Sequence, residues 1–289
     1  MNHLATWSKD SGGSASESAW TGGIDLVYAE GSSLQTNIDL NRTYTTDEFG
    51  RPMASPVRPD PTTNVSLTRQ SIGESEYQAI TFKVNRRFTG RYQMQAHYTL
   101  ADDKDTDSNE RSATSSTASF GGADRSLWNP RYDWGHSEKD IENRLVISGV
   151  YLLPWDFKIS GIVEHGSGVP YNPTDRGVDF AYCGFTSLGF DCVDARPVDA
   201  NGNVLQRNSF RNESVQRMDL RLSKFFEFGN DKSVDVFLEV FNLFDDQAFV
   251  VCNSFSCDRR RDPENAQFGL ASGRLTQPQI YQIGGRFTF

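Results

Sequence analysis

The sequence predicts an all-β fold: an antiparallel transmembrane β-barrel segment of about eight strands, with long extracellular loops and short periplasmic turns. Two observations carry this. Stretches of about ten residues alternate between apolar and polar, the length a tilted strand needs to cross an outer membrane. The connections between these stretches alternate between short and long, as in bacterial outer-membrane barrels. The totals hide the pattern: the 289 residues are 37% hydrophobic and 23% charged, which alone would describe a soluble protein. No run approaches about 18 apolar residues, which excludes a helical span. A barrel span survives because alternation averages out of hydropathy. A formal net charge of −9 argues against a broad nucleic-acid footprint.

Eight segments can be placed, at about 21–30, 75–87, 90–101, 142–153, 156–166, 215–228, 232–244 and 279–289. In the clearest, Arg217, Asp219, Arg221 and Ser223 share one face of a strand and Met218, Leu220 and Leu222 the other. In the third, Tyr92, Met94, Ala96, Tyr98 and Leu100 oppose Arg91, Gln93, Gln95, His97 and Thr99. The last puts Tyr281, Ile283, Gly285, Phe287 and Phe289 on one face, with Gln282, Gly284, Arg286 and Thr288 on the other. Short turns are expected at Phe88-Thr89-Gly90, Leu153-Pro154-Trp155-Asp156 and Phe228-Gly229-Asn230-Asp231-Lys232. Long polar links fall at 31–74, 102–141, 167–214 and 245–278. Several structureless links of that length count against a compact soluble domain. A soluble β-sandwich also alternates. Strand lengths near the membrane-crossing value and the aromatic end of the last apolar face weigh against it.

The stretch from Met1 to Gly13 shows no signal-peptide pattern, so either the protein stays inside or Met1 is not its true start. Residues 1–20 form a poorly defined N-terminal segment. The four cysteines fall as close pairs, Cys183 with Cys192 and Cys252 with Cys257, in loop-like segments. Such pairs suit local disulfides in an oxidising compartment. Zinc is the rival reading, disfavoured by the spacings and by the lack of a neighbouring histidine; free thiols are the third.

Several stretches, in order, resemble the C-terminal part of a TonB-dependent outer-membrane receptor of the Oar-like kind. They are Ser75-Glu76-Tyr77-Gln78-Ala79 with Asn85-Arg86-Arg87-Phe88, then Tyr92 to Leu100, Asn143-Arg144-Leu145-Val146 and Ser167-Gly168-Val169-Pro170-Tyr171. Arg217 to Lys224, Glu239-Val240-Phe241-Asn242-Leu243-Phe244-Asp245 and the closing Gly284-Gly285-Arg286-Phe287-Thr288-Phe289 complete the set. The resemblance covers roughly residue 20 to the end. It implies a barrel of about 22 strands around an N-terminal plug, with nutrient uptake driven through contact with TonB. This sequence shows no plug, TonB box or signal peptide, so it is expected to be a partial receptor barrel domain over 1–289.

Physical reasoning also favours a fragment. An open eight-stranded sheet leaves edge groups unpaired in hydrocarbon. An eight-stranded barrel closed on itself must be filled by side chains, here the expected inward set Arg91, Lys158, Glu164, Arg217, Asp219, Arg221, Glu239 and Arg286. A wide lumen holds those charges with less desolvation. A stand-alone eight-stranded barrel with a structural or adhesive role is the alternative; a soluble secreted β-protein held by two disulfides is a third.

Chemistry is sparse, and no catalytic, cofactor or metal site is expected. There is no nucleophile-elbow or phosphate-loop motif, and His3, His97, His136 and His165 are scattered without metal-ligand spacing. His165 near Ser167 lacks an orienting acid. Asp103, Asp105 and Asp107 alternate as in a calcium loop, but Ser108 stands where glycine is needed and Thr114 at the twelfth position, so a solvated extracellular loop is expected. Arg259-Arg260-Arg261 reads as a solvated basic cluster. Trp128, Tyr132 and Trp134 could stack on sugars, although packing of the loop onto its neighbours is the better reading.

The sequence thus predicts a non-enzymatic barrel in the bacterial outer membrane. Expected partners are outer-membrane lipid and the barrel-assembly machinery, with TonB reached only through a missing N-terminal region; the transported ligand is unknown and no nucleic acid is expected. Tyr281, Phe287 and Phe289 form the expected C-terminal assembly signal. Deleting Phe289 should lower the amount of protein inserted in the outer membrane; unchanged insertion, read by membrane fractionation, would remove that role.

Overall fold

The computed structural model describes residues 19–41, 43–54, 57–63, 66–106, 108, 130–171, 173, 196–229, 232–251, 269–271 and 273–289. In chain order the strands are β1 (Trp20–Asp39), β2 (Tyr44–Thr46), β3 (Pro52–Ala54), β4 (Leu67–Thr89), β5 (Tyr92–Asp105), β6 (Gly135–His136), β7 (Asn143–Leu152) and β8 (Phe157–Gly166). They continue with β9 (Pro170–Tyr171), β10 (Phe210–Arg211), β11 (Val215–Phe228), β12 (Lys232–Phe241), β13 (Phe249–Val250), β14 (Gly273–Arg274) and β15 (Ile280–Thr288). A 3-10 turn, Pro130–Asp133, precedes β6.

The eight long strands form one antiparallel sheet in the order β1-β4-β5-β7-β8-β11-β12-β15, with β6 added at the far end of β5. All eight coincide with the alternating segments of the sequence. Each neighbour in space is the next long strand in the chain, because a short turn or an outer loop reverses the chain each time. β1 and β15 each pair on one side only, so the described sheet is open.

One largely apolar face runs across the sheet. Ile24 lies opposite Phe82, Phe82 opposite Tyr98 and Tyr98 opposite Leu145. At the other end Leu222 lies opposite Leu238 and Leu238 opposite Ile283. These side chains are uncovered, with Ile283 80% and Phe289 91% exposed. The buried apolar residues among those described, Tyr171, Ala248, Val250 and Val251, all lie outside the eight long strands. A soluble sandwich would bury that face against a second layer.

The turns at one end are tight. Gly90 takes a left-handed conformation (φ +68°) between β4 and β5. Trp155 and Asp156 both have φ of +59° between β7 and β8, the backbone sense that matches the twist of paired strands. At the opposite end β1 and β4 run far past the apolar zone, paired from Trp20–Arg86 to Asp39–Leu67. This corrects the expectation of a structureless link over 31–74. The extension was invisible because residues beyond the membrane are mostly polar, and Leu34, Ile38, Leu67 and Ile72 are too sparse to make an alternation.

The Ser167-Gly168-Val169-Pro170 stretch follows β8 and packs against residues 211–213. Asn212 donates to the Val169 carbonyl from its backbone (3.0 Å) and side chain (2.9 Å), and Arg211 Nη1 donates to the Gly168 carbonyl (3.1 Å). A Cβ on Gly168 would collide with the Asn212 backbone. Gly168→Ala should therefore destabilise the folded state by about 1–3 kcal/mol or more. The heat at which the compact folded form is lost on an unheated-sample gel would report it, and a melting profile equal to wild type would refute the contact.

Candidate functional site: the polar inner face and the outer loop cluster

The face opposite the apolar one carries the charges. Glu164 lies across from Arg217, Arg221 across from Glu239, Asp235 across from Arg286, and Lys158 across from Ser223. Every strand member of the expected inward set lies on this face; Arg91 sits in the turn just before β5, at the matching parity. Arg217 donates to Asp219 through Nε (2.9 Å) and Nη2 (2.5 Å). Arg221 reaches Glu239 at 3.2 Å and Asp235 at 3.7 Å, with its guanidinium 3.7 Å above the Phe237 ring. That ring occupies the space where a Cβ on Gly284 would stand. Lys83 pairs with Asp25 on the same face. Cationic and acidic groups alternate from strand to strand, which suits a water-filled or polar-filled lumen.

At the long-loop end, arginines from 196–214 and the first outer loop bind the rims of other elements. Arg207, buried, pairs with Asp105 and donates to its carbonyl at 2.9 Å. Gly135 permits this, since a Cβ there would stand 2.7 Å from the Arg207 carbonyl. Arg211 pairs with buried Asp140 and with Glu142 at 2.8 Å. Arg196 pairs with Asp133 and lies 4.0 Å over the Tyr132 ring. The carbonyl of Arg196 accepts from Arg51 Nη1 at 2.9 Å. Arg51 in turn belongs to the β2–β3 hairpin, whose turn is closed by Asp47: its Oδ1 accepts from Phe49 N (3.0 Å) and Arg51 N (2.8 Å), its Oδ2 from Arg51 Nε (2.6 Å). Burial pushes the Asp47 carboxyl up, but the hydrogen bonds and charge of Arg51 outweigh it and hold the group below its ordinary range.

The motif at the end of β12 has a comparable local role. Asn242 takes a left-handed conformation (φ +51°). Its side chain donates to the carbonyls of Gln277 (2.7 Å) and Asp246 (3.1 Å), while its amide donates to Asp219 Oδ1 (2.9 Å). Asp245 then receives Arg274 at 2.9 Å. The bond from Arg274, followed by those from Gln279 and Gln247, lowers the Asp245 carboxyl.

Some site expectations need correction. Asp103 and Asp105 belong to β5, and Asp105 is buried against Arg207 rather than solvated; Asp107 lies outside the described residues. Tyr132 has its ring face covered by Arg196, so it packs its loop onto a neighbouring one, as the sequence favours. Ser167 Oγ accepts the Asn143 amide at 3.2 Å, and His165 sits on the apolar face opposite Leu145. Tyr281, Phe287 and Phe289 line the apolar face, the last two rings 5.7 Å apart. Cys183, Cys192, Cys252, Cys257, Trp128, His3 and Arg259 to Arg261 lie outside the described residues. Sequence reasoning missed Arg196, Arg207 and Arg211, which sit in a polar link without periodic signal. It also missed that the fold gathers His136 with Asp102 and Asp140, ligand atoms within 4.8 Å of one another.

A family model for the outer membrane beta barrel domain matches residues 17–283. The chain belongs to this family. It is an antiparallel barrel segment of the bacterial outer membrane. No curated protein matches it by sequence. Among solved structures it is similar to the outer membrane transporter YddB from Escherichia coli, at 10% identity and a TM-score of 0.49, over 93% of this chain and 29% of that one. The chain therefore spans less than a third of that protein's length.

In an outer membrane the apolar face meets lipid. Trp20, Tyr92, Tyr151, Trp155 and Phe226 cluster toward the tight-turn end. Two cations reside among them. Arg86 lies 3.4 Å over Tyr92 and donates to the Tyr92 carbonyl at 2.7 Å; Lys224 lies 4.7 Å from the Phe157 ring and caps the Trp155 carbonyl. This is the snorkelling arrangement of an aromatic girdle. Tyr28, Tyr98 and Tyr281 stand toward the other end, eight positions from Trp20 to Tyr28, or roughly 27 Å of strand.

Asp47 sits outside the membrane, and the sign of its effect follows from its lowered value. Its contribution to stability is present above the ordinary aspartate value of about 3.9 and is lost as pH falls through its lower folded value. Hydrogen exchange over residues 44–54, corrected for intrinsic rate, should accelerate in that acid range. Asp47→Asn should be fast already at neutral pH and lack the acid step; a variant that keeps the wild-type profile would refute the assignment.

Proposed function

We propose that this chain is the C-terminal barrel part of a TonB-dependent, Oar-like receptor, supplying wall and extracellular loops to a wide, plugged lumen used for nutrient uptake. The observation that carries this reading is the open sheet with a charged inner face. Each free edge would leave several N–H and C=O groups unpaired in hydrocarbon, at several kcal/mol apiece, so β1 and β15 need partners. Joining them to each other would force Lys158, Glu164, Arg217, Asp219, Arg221, Glu239 and Arg286 into a narrow interior at a large desolvation cost. Further strands between them leave these groups hydrated. The stretches that resemble Oar-like receptors have local jobs here, such as the Asn242 turn and the Gly168 contact. TonB would act through a region not in this sequence, assembly would use the C-terminal aromatics, and Cys183–Cys192 and Cys252–Cys257 would form local disulfides in the outer loops.

The test is the mass of the native product in an outer-membrane fraction, detected with an antibody against residues 210–289. A band far above 32.4 kDa is expected. A band near 32.4 kDa would overturn the receptor reading in favour of a self-closed eight-stranded barrel.

A further inference from the structure

Just above the lipid-facing zone, three potential metal ligands from two separate parts of the chain converge. Asp102 and Lys104 continue the apolar row of β5 beyond Leu100, and His136 of β6 is paired with Lys104. The chain then turns, with the Ser137 amide donating to the Asp103 carbonyl at 2.8 Å and the Asp140 amide to the Ser137 carbonyl at 3.0 Å. That turn brings Asp140 back beneath His136. The Nδ1 of His136 lies 3.0 Å from Asp140 Oδ2 and 3.5 Å from Asp102 Oδ1. Nδ1 is sealed from solvent yet makes no hydrogen bond of acceptable geometry.

The surroundings fix the carboxylates and leave them electron-rich. The second oxygen of Asp102 is held by Lys104 at 2.6 Å, and Asp140 Oδ1 accepts the Asp103 amide at 3.1 Å. Arg211 also pairs with Asp140 Oδ2, from the Glu142 side. Asp102, Asp103, Asp105, Asp140 and Glu142 outnumber the cations paired with them, Lys104, Arg207 and Arg211. A buried imidazole nitrogen without a hydrogen bond, 3.0 and 3.5 Å from two carboxylate oxygens and within a cluster carrying excess negative charge, is an arrangement a first-row divalent cation satisfies. Tetrahedral bonds of about 2.0–2.1 Å place ligand atoms about 3.3 Å apart, between the two separations seen here.

We propose that Asp102, His136 and Asp140 form a divalent-cation site of the Zn²⁺ type at the outer rim, with a fourth position open to water. The ion would staple the end of β5 to the stretch that leads from β6 into β7, at the far end of the same outer loop. The imidazole binds through neutral Nδ1, and the carboxylates bind ionised, so no other reactant is needed.

The test is equilibrium dialysis of the native protein, purified in detergent, against Zn²⁺ alone. Zinc bound per chain would be compared for wild type, His136→Ala and Asp102→Asn, with His165→Ala as control. An unheated-sample gel establishes that each variant is folded. Asp102→Asn leaves the buried Arg211–Asp140 pair in place, so it tests the site without disturbing that link. Both site variants should lose one equivalent or weaken it by at least about tenfold, with His165→Ala unchanged. Equal zinc in wild type and both site variants, or a matching loss in the control, would overturn the site.

Discussion

Everything in this structure follows from the requirement that backbone amides and carbonyls in hydrocarbon find partners within the sheet, because no water is there to take them. Eight long strands answer it by antiparallel pairing in strict succession, so each ladder is made between segments adjacent along the chain. The same requirement puts tight turns at one end, where Gly90, Trp155 and Asp156 accept left-handed conformations, and confines irregular backbone to the other.

Alternation then divides the labour. One face gives its apolar side chains to lipid, and Gly284 yields space on the opposite face for Phe237, which Arg221 covers. The polar face keeps its charges in cross-strand contacts such as Arg221 with Glu239 and Asp235. Such pairs are partly covered, so they order the wall while leaving room for water or a polar filling.

Beyond the membrane the physics changes. Among the described residues the loops there bury few apolar side chains and are joined instead by arginines on carboxylates and carbonyls. Arg207 ties the 196–214 segment to β5, Arg211 ties it to the β6–β7 connection, and Arg51 ties the first hairpin to Arg196. A planar guanidinium can satisfy several acceptors from different loops at once, which suits it to this role better than lysine.

The sequence by itself determined the eight strands, the face each residue takes and the alternation of turns, because each is written in a local period of two. It also marked Asn242 and Gly168 as motif positions, without their reasons. Only the tertiary structure decided that β1 and β4 extend past the membrane, since apolar residues are sparse there and the period is lost. Only the tertiary structure joined Arg207 to Asp105, 102 residues apart, and set His136 beside Asp102 across a long outer loop. Such pairings depend on which rims the loops reach, and no local pattern in the chain records that distance.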